Sequence, residues 1–193
     1  VKRRFDSKNA GFTLIELIVV VAIISVLTGG IAISYSRVSR AGVKSAALDA
    51  RSLVSEARIN QMSKAGSFAA DIYVADDGCI HGQMLKDGAV DRSVSSSSEV
   101  KFARSEISIE ILNADTGASI GTLSRDNVGK HLCVGFRRSS GRLCILNYGS
   151  SADISTVSDW TDDVILRVGQ GDYRYDVKIN SLTGTVQVVY SGT

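Results

Sequence analysis

From Phe12 to Ser34 the chain reads FTLIELIVVVAIISVLTGGIAIS, an apolar run interrupted by a single charge, Glu16. A helix through these residues is apolar on every side and about 34 Å long, enough to cross the hydrocarbon core of a bilayer. A buried core helix would keep a polar face. A cleaved secretory signal would carry a shorter apolar region followed by small residues, a place that Gly29-Gly30 fills only loosely. The pattern therefore predicts a membrane-spanning helical segment at 12–34.

From Tyr35 the pattern changes to one apolar stripe. Val43, Ala47, Ala50, Val54 and Ala57, flanked by Ala46, Leu53 and Met62, recur at spacings of three and four, and Gly66 is a natural stop. An amphipathic extension of the same helix is expected over 35–65. Beyond it the period falls to two. Strands are predicted at Phe68–Val74, Ser108–Leu112, Leu132–Phe136, Leu143–Asn147, Val164–Val168, Tyr173–Ile179 and Thr185–Tyr190. In the last pair Tyr175, Val177 and Ile179 face Val186, Val188 and Tyr190 across the turn Asn180-Ser181-Leu182-Thr183-Gly184, and Gly169-Gln170-Gly171-Asp172 makes the turn before it. Helical spacers are absent between these runs, so the fold class is α+β: a long N-terminal helix packed on an antiparallel sheet or sandwich at 66–193. Arg92–Glu99, with four consecutive serines, reads as an exposed loop.

Charge sharpens this division. The 22 Lys+Arg and 20 Asp+Glu leave a net charge of +2, but Lys2, Arg3, Arg4 and Lys8 crowd the first ten residues beside Asp6 alone. The basic start predicts residues 1–10 on the cytoplasmic side and the remainder outside. The near-neutral body disfavours a general polyanion binder. Arg37, Arg40, Lys44, Arg51, Arg58 and Lys64 outnumber Asp49 and Glu56 on the helix extension, while residues 65–193 hold 12 basic and 16 acidic side chains. The basic stretch reads either as a solvated face or as a surface attracted to the acidic head of a neighbouring copy.

Glu16 is the chemical anomaly. A lone carboxylate inside an apolar span costs about 2.5–3.5 kcal/mol on insertion scales, and the run contains no cation. A partner has to come from another chain or from a new amine made by cutting the chain nearby. Gly11, immediately before the run, offers a protease a backbone with no side chain in the way. With these residues in place, Gly11-Phe12-Thr13-Leu14-Ile15-Glu16 and the aliphatic run after it resemble the prepilin signature of type IV pilins and type II secretion pseudopilins. The long helix with a β head further resembles the H-type minor pseudopilins.

The resemblance implies a leader at 1–11, cleavage between Gly11 and Phe12 by an inner-membrane prepilin peptidase, and N-methylation of Phe12. It implies that Glu16 meets the Phe12 amine of a neighbouring subunit during assembly. The implied partners are that peptidase, an inner-membrane platform protein and other pilin or pseudopilin subunits, with DNA, polysaccharide or a secreted cargo as further candidates. The implied location is the inner membrane, single-pass, and then a filament. The helix-kinking proline usual in this family would fall at Ile33, and the chain has no proline at all, so Gly29-Gly30 is the candidate weak point.

The remaining motifs are ordinary. Cys133 and Cys144 can lie opposite each other in a hairpin over His131–Asn147, giving either a disulfide or two free thiols, with Cys79 left over. Cys79-x-His81 and His131-x-Cys133 match no zinc spacing, and Asp76-Asp77-Gly78 lacks the alternating oxygens of a calcium loop. Gly117-Ala118-Ser119-Ile120-Gly121 fits the G-x-S-x-G string of a nucleophile elbow, but reads as a turn between strands. Arg137, Arg138 and Arg142 crowd a hairpin tip, where they serve solubility or contact an anionic surface. No phosphate loop, zinc-protease motif or dinucleotide fingerprint occurs, so no metal or cofactor is expected. A non-catalytic structural subunit is the favoured reading. The rival is a signal-anchored extracytoplasmic enzyme or ligand-binding protein, using Ser119 or the Cys/His groups, that never enters a filament.

Overall fold

The computed structural model describes residues 13–90, 100–103, 106–154 and 160–192, with side chains for all of these except 29–39, 100 and 103. The expected loop at Arg92–Glu99 lies outside the described residues. The chain divides into two compact units, Val1–Val38 and Ser39–Thr193. Helix α1 runs from Leu14 to Ser63, and its backbone is helical through Gly29-Gly30. It stops just before Gly66, whose φ of 107° is open to glycine and strained for other residues.

In the second unit the helix is followed by strands β1 (Phe68–Val74), β2 (Ile80–Lys86), β3 (Ala89–Val90), β4 (Val100–Ala103), β5 (Ser108–Asn113), β6 (Ser119–Leu123), β7 (His131–Phe136), β8 (Leu143–Gly149), β9 (Val164–Gln170), β10 (Tyr173–Ile179) and β11 (Val186–Tyr190). They form two sheets. The first has the order β3-β2-β1-β7-β8, with β4 also paired to β2, and the second has the order β11-β10-β9-β5-β6. Every pairing is antiparallel. The protein is thus α+β, a helix packed with two antiparallel sheets.

All seven predicted strands are present. The β10–β11 register sets Tyr175 against Tyr190, Val177 against Val188 and Ile179 against Val186, as the alternation predicts. The helical stripe is equally faithful: Val43, Ala46, Ala47, Ala50, Leu53, Val54 and Ala57 are buried in one core with Ile72, Leu132, Ile109, Leu166 and Val177 from the two sheets. Met62, assigned to the same stripe, is instead 46% exposed. It lies beyond the buried face, close to Gly141.

The sheets also meet through polar contacts. Tyr148 of β8 donates its hydroxyl to the Thr122 carbonyl of β6 at 2.8 Å, and the Leu143 amide donates to the Ser181 carbonyl at 2.9 Å. The helix is tied down by Arg51, which donates to Val186 O, and by Arg58, which donates to Gly141 O, both at 3.3 Å. Next to that second anchor, Gly184 has a φ of 65°, and a Cβ there would lie 2.0 Å from the Gly141 carbonyl oxygen. Gly184→Ala should therefore cost about 2–4 kcal/mol, combining left-handed strain with an immovable backbone clash. Urea denaturation of the pure protein measures it as a lowered midpoint with an unchanged slope.

Candidate assembly site

Thr13 and Glu16 close the start of the helix. The Thr13 amide and hydroxyl both donate to Glu16 Oε2, at 3.0 and 2.9 Å, and the Glu16 amide donates to the Thr13 hydroxyl oxygen at 3.3 Å. This is a capping box, in which an N-cap threonine and a glutamate three residues on satisfy amides that a helix start leaves unpaired. The T-x-x-E spacing is visible in the sequence, yet Glu16 read there only as a charge in need of an outside partner. The structure shows that the carboxylate also has a local one.

Behind the cap, aliphatic side chains stand exposed all round the helix, from Leu14, Ile15 and Leu17 through Val21 and Ile24 to Leu27. The polar residues in this stretch are silenced: Ser25 donates to the Val21 carbonyl at 2.7 Å and Thr28 to the Ile24 carbonyl at 2.8 Å. Such back-bonding leaves no hydroxyl proton facing outward. Among the described residues no helix is long and apolar enough to cross a membrane. Of the span expected at 12–34, Phe12 lies outside the described residues, as does Gly11, and the side chains of 29–34 are not described.

The other sequence candidates are dispersed. Cys79, Cys133 and Cys144 are all buried, and none is in a disulfide. Of the two arrangements the sequence leaves open for Cys133 and Cys144, the structure shows them unbridged, because the hairpin register offsets them by three residues. Cys133 faces Asn147, and Cys144 falls between the paired positions Gly135–Ile145 and Phe136–Leu143. Burial and the neighbouring Asp71 carboxylate push the Cys133 thiol far above its ordinary range, so little nucleophilic thiolate exists at neutral pH. Iodoacetamide should therefore label none of the three in the native protein and all three in urea. Intact mass spectrometry reads this as no adduct against three adducts, without any mass loss from a disulfide.

Asp71 is fully buried on β1 and ties together three strands of the first sheet. It accepts a bond from Gln83 of β2 at 2.8 Å, sits 3.1 Å from Nδ1 of His131 on β7, and accepts from the Cys133 thiol at 3.7 Å. The ring of His131 stacks on Tyr73, with centroids 5.1 Å apart. Nothing in the sequence distinguished this aspartate, since the strand pattern around it, FAADIYV, only predicts a half-buried surface. Its partners satisfy a charge that would be costly if left alone.

His81 stands on the far side of Tyr73 from His131, one strand over on β2. The two Cys/His pairs do not converge, and among the described residues no three His, Cys, Asp or Glu side chains are placed to hold a metal. Asp77 bonds the Lys101 ammonium and the Cys79 amide, both at 2.9 Å. Lys101 above all holds its carboxyl well below the usual range. Ser119 opens β6 on the exposed side of a tight hairpin, and the chain continues as strand. The strand-to-helix turn that a nucleophile elbow requires is absent there. At the basic tip, Arg138 is committed to the Gly66 carbonyl at the helix exit.

These features define a class. The chain combines an α+β body with a capped helix whose aliphatic surface is exposed on all sides, and such a surface requires lipid or protein around it. Residues 6–32 match the prokaryotic N-terminal methylation motif. The chain thus carries the prepilin motif of type IV pilins and pseudopilins, and the match takes in Gly11, Phe12 and Glu16. No curated protein and no solved structure matches the chain.

Proposed function

We propose that this chain is a pilin or pseudopilin, a structural subunit of a type IV pilus-like filament. It is made as a prepilin inserted in the inner membrane through residues 12–34, with its N-terminus cytoplasmic and its β-rich head outside. A prepilin peptidase cuts between Gly11 and Phe12, and the new Phe12 amine is methylated. A platform protein then passes the subunit to a filament in which apolar helices pack side by side. Membrane and filament supply in turn the apolar surroundings that the exposed aliphatic residues need.

The observation that carries this reading is the motif at residues 6–32 placed directly over a capped glutamate and an exposed aliphatic helix. Cleavage would convert the Phe12 nitrogen from an amide into a cation next to Thr13, three bonds of chain away from the Thr13 amide of the capping box. Glu16 then has a choice between its neutral local partners and an ammonium on an adjacent subunit. The charged partner is favoured once both are out of water, because a charge-assisted bond is roughly twice as strong as a neutral one.

The same cleavage removes four basic side chains and Asp6, leaving 18 basic against 19 acidic residues. The functional test is fractionation. The chain should appear in sheared extracellular material, or in an envelope filament fraction, from cells with an active prepilin peptidase. It should stay in the membrane of cells lacking the enzyme. Equal distribution in both strains would overturn the assignment.

A further inference from the structure

The buried stripe of α1 accounts for only part of the helix surface over residues 41–62. On the remainder, Ala41, Ser45, Leu48, Ser52, Ser55, Ile59 and Met62 follow one another at spacings of four and three. That alternation is the a/d seam of a heptad repeat. With Leu48, Ser55 and Met62 at d and Ser45, Ser52 and Ile59 at a, the buried residues Val43, Ala46, Ala47, Ala50, Leu53, Val54 and Ala57 all fall at b, c and f. The helix thus uses one face for its own sheets and leaves an unfilled seam. Leu48 is 41% exposed and Ile59 60%. Between them lies an open groove of about 410 Å³, lined by Leu48, Arg51, Ser52, Ser55, Glu56 and Ile59.

The flanking charges identify the occupant. Lys44, Arg51 and Arg58 occupy the g positions, and Asp49 and Glu56 occupy e. Two copies lying parallel and in register would set Lys44 against Asp49 and Arg51 against Glu56 of the other chain, on both sides of the seam. Two antiparallel copies would oppose g to g and e to e, placing like charges together. The g-side arginines reach the head through Nε, to Val186 O and Gly141 O, and a guanidinium has four further N–H donors to offer. We propose that residues 41–62 are a parallel pairing face for a second copy of this chain.

The serines at a and d set how strong that pairing is. Small polar residues let two helices approach but bury little apolar area, so the seam contributes alignment more than affinity. It operates where copies already share a membrane or a filament and their effective concentration is high. This inference rests on the filament reading, which places copies in one membrane with a common N-to-C direction. It deepens that reading by naming a contact outside the apolar segment.

The test uses the full chain in native membranes. Ser52→Cys places a thiol on the seam, Thr116→Cys places one on an exposed turn of the head as a control, and a short bismaleimide links thiols that meet. The native cysteines are buried. Ser52→Cys should give a cross-linked homodimer and Thr116→Cys should not. Adding Asp49→Lys or Lys44→Glu should lower the dimer yield about tenfold, since either change turns two attractive pairs into repulsive ones. The two together should restore it. These residues suit the exchange because among the described residues neither bonds to the sheets; Asp49 accepts a 3.4 Å bond from Ser45 on its own helix.

A Ser52→Cys yield no higher than the control, a product containing only a different protein, or indifference to the charge changes would overturn the proposal. The N-terminal mass of the same samples separates the two ideas. Absent dimer with the leader removed sinks the pairing and leaves the filament reading standing. Dimer with the leader retained does the reverse.

Discussion

Glu16→Val is expected to lower recovery of the chain in sheared filaments by at least about 100-fold while leaving it processed and in the membrane. Removing a carboxylate makes the apolar segment easier to insert, by about 2.5–3.5 kcal/mol on insertion scales, so membrane retention should not suffer. What is lost is the partner of a buried ammonium. Leaving one member of a desolvated pair alone costs about 3–5 kcal/mol, and each 1.4 kcal/mol is about tenfold in population. The capping box complicates the attribution, because Glu16 also closes the helix start through Thr13. Losing a cap costs about 1 kcal/mol. Thr13→Val separates the two roles, since it removes the cap hydroxyl and keeps the carboxylate. Assembly of Thr13→Val should fall by tenfold or less, and a loss matching that of Glu16→Val would assign the glutamate to helix capping alone.

Gly11→Val should block processing almost completely. A β-branched side chain at the residue before the cut stiffens the backbone and fills the space through which a protease reaches the carbonyl. The expected result is that more than about nine-tenths of the chain keeps its leader, a barrier increase of roughly 1.4 kcal/mol or more. The uncut chain should then be missing from filaments, because no Phe12 ammonium exists to meet Glu16. Gly11→Ala, with a single methyl, should slow cleavage and not stop it. Normal processing of Gly11→Val would remove the leader from the account.

The elements that were legible in the sequence are those where one physical signal dominates. The stripe from Val43 to Ala57 was readable because small and aliphatic residues repeat at helical spacing against charged ones, and those residues are the helical part of the core. The β10–β11 hairpin was readable because β-branched and aromatic residues alternate around a glycine-bearing turn. Strands β2 and β6 were missed for the opposite reason. Each carries a glycine at a close approach: Gly82 lies under Phe102 and Leu53, and Gly121 under Tyr148. At such a position the missing side chain is the packing, and it reads as a break in the pattern. Strand β4 was hidden beside the serine run.

The candidate site divides in the same way. Gly11 and Glu16 stand out in the sequence because a charge inside an apolar run and a glycine before it are anomalies that demand an explanation, and the roles proposed for them rest on the motif that spans them. Whether Cys133 and Cys144 meet was left open by the sequence, because it depends on the hairpin register; the β7–β8 ladder sets Cys133 against Asn147, three residues from Cys144. Asp71 was invisible because its burial depends on Gln83, His131 and Cys133 arriving from two neighbouring strands. The heptad charges beside the helix seam were noticed only as an excess of basic residues. Their meaning emerges once the b, c and f positions are known to be buried and the a and d positions open.

The central claim is that this chain becomes a filament subunit by gaining a methylated N-terminus at Phe12. Intact and N-terminal mass spectrometry of the protein from its native membrane tests that directly. The account predicts a chain beginning at N-methyl-Phe12, with positions 1–11 removed. A chain that still carries those eleven residues in cells with an active prepilin peptidase would contradict it, and would return the protein to the class of signal-anchored proteins that work alone.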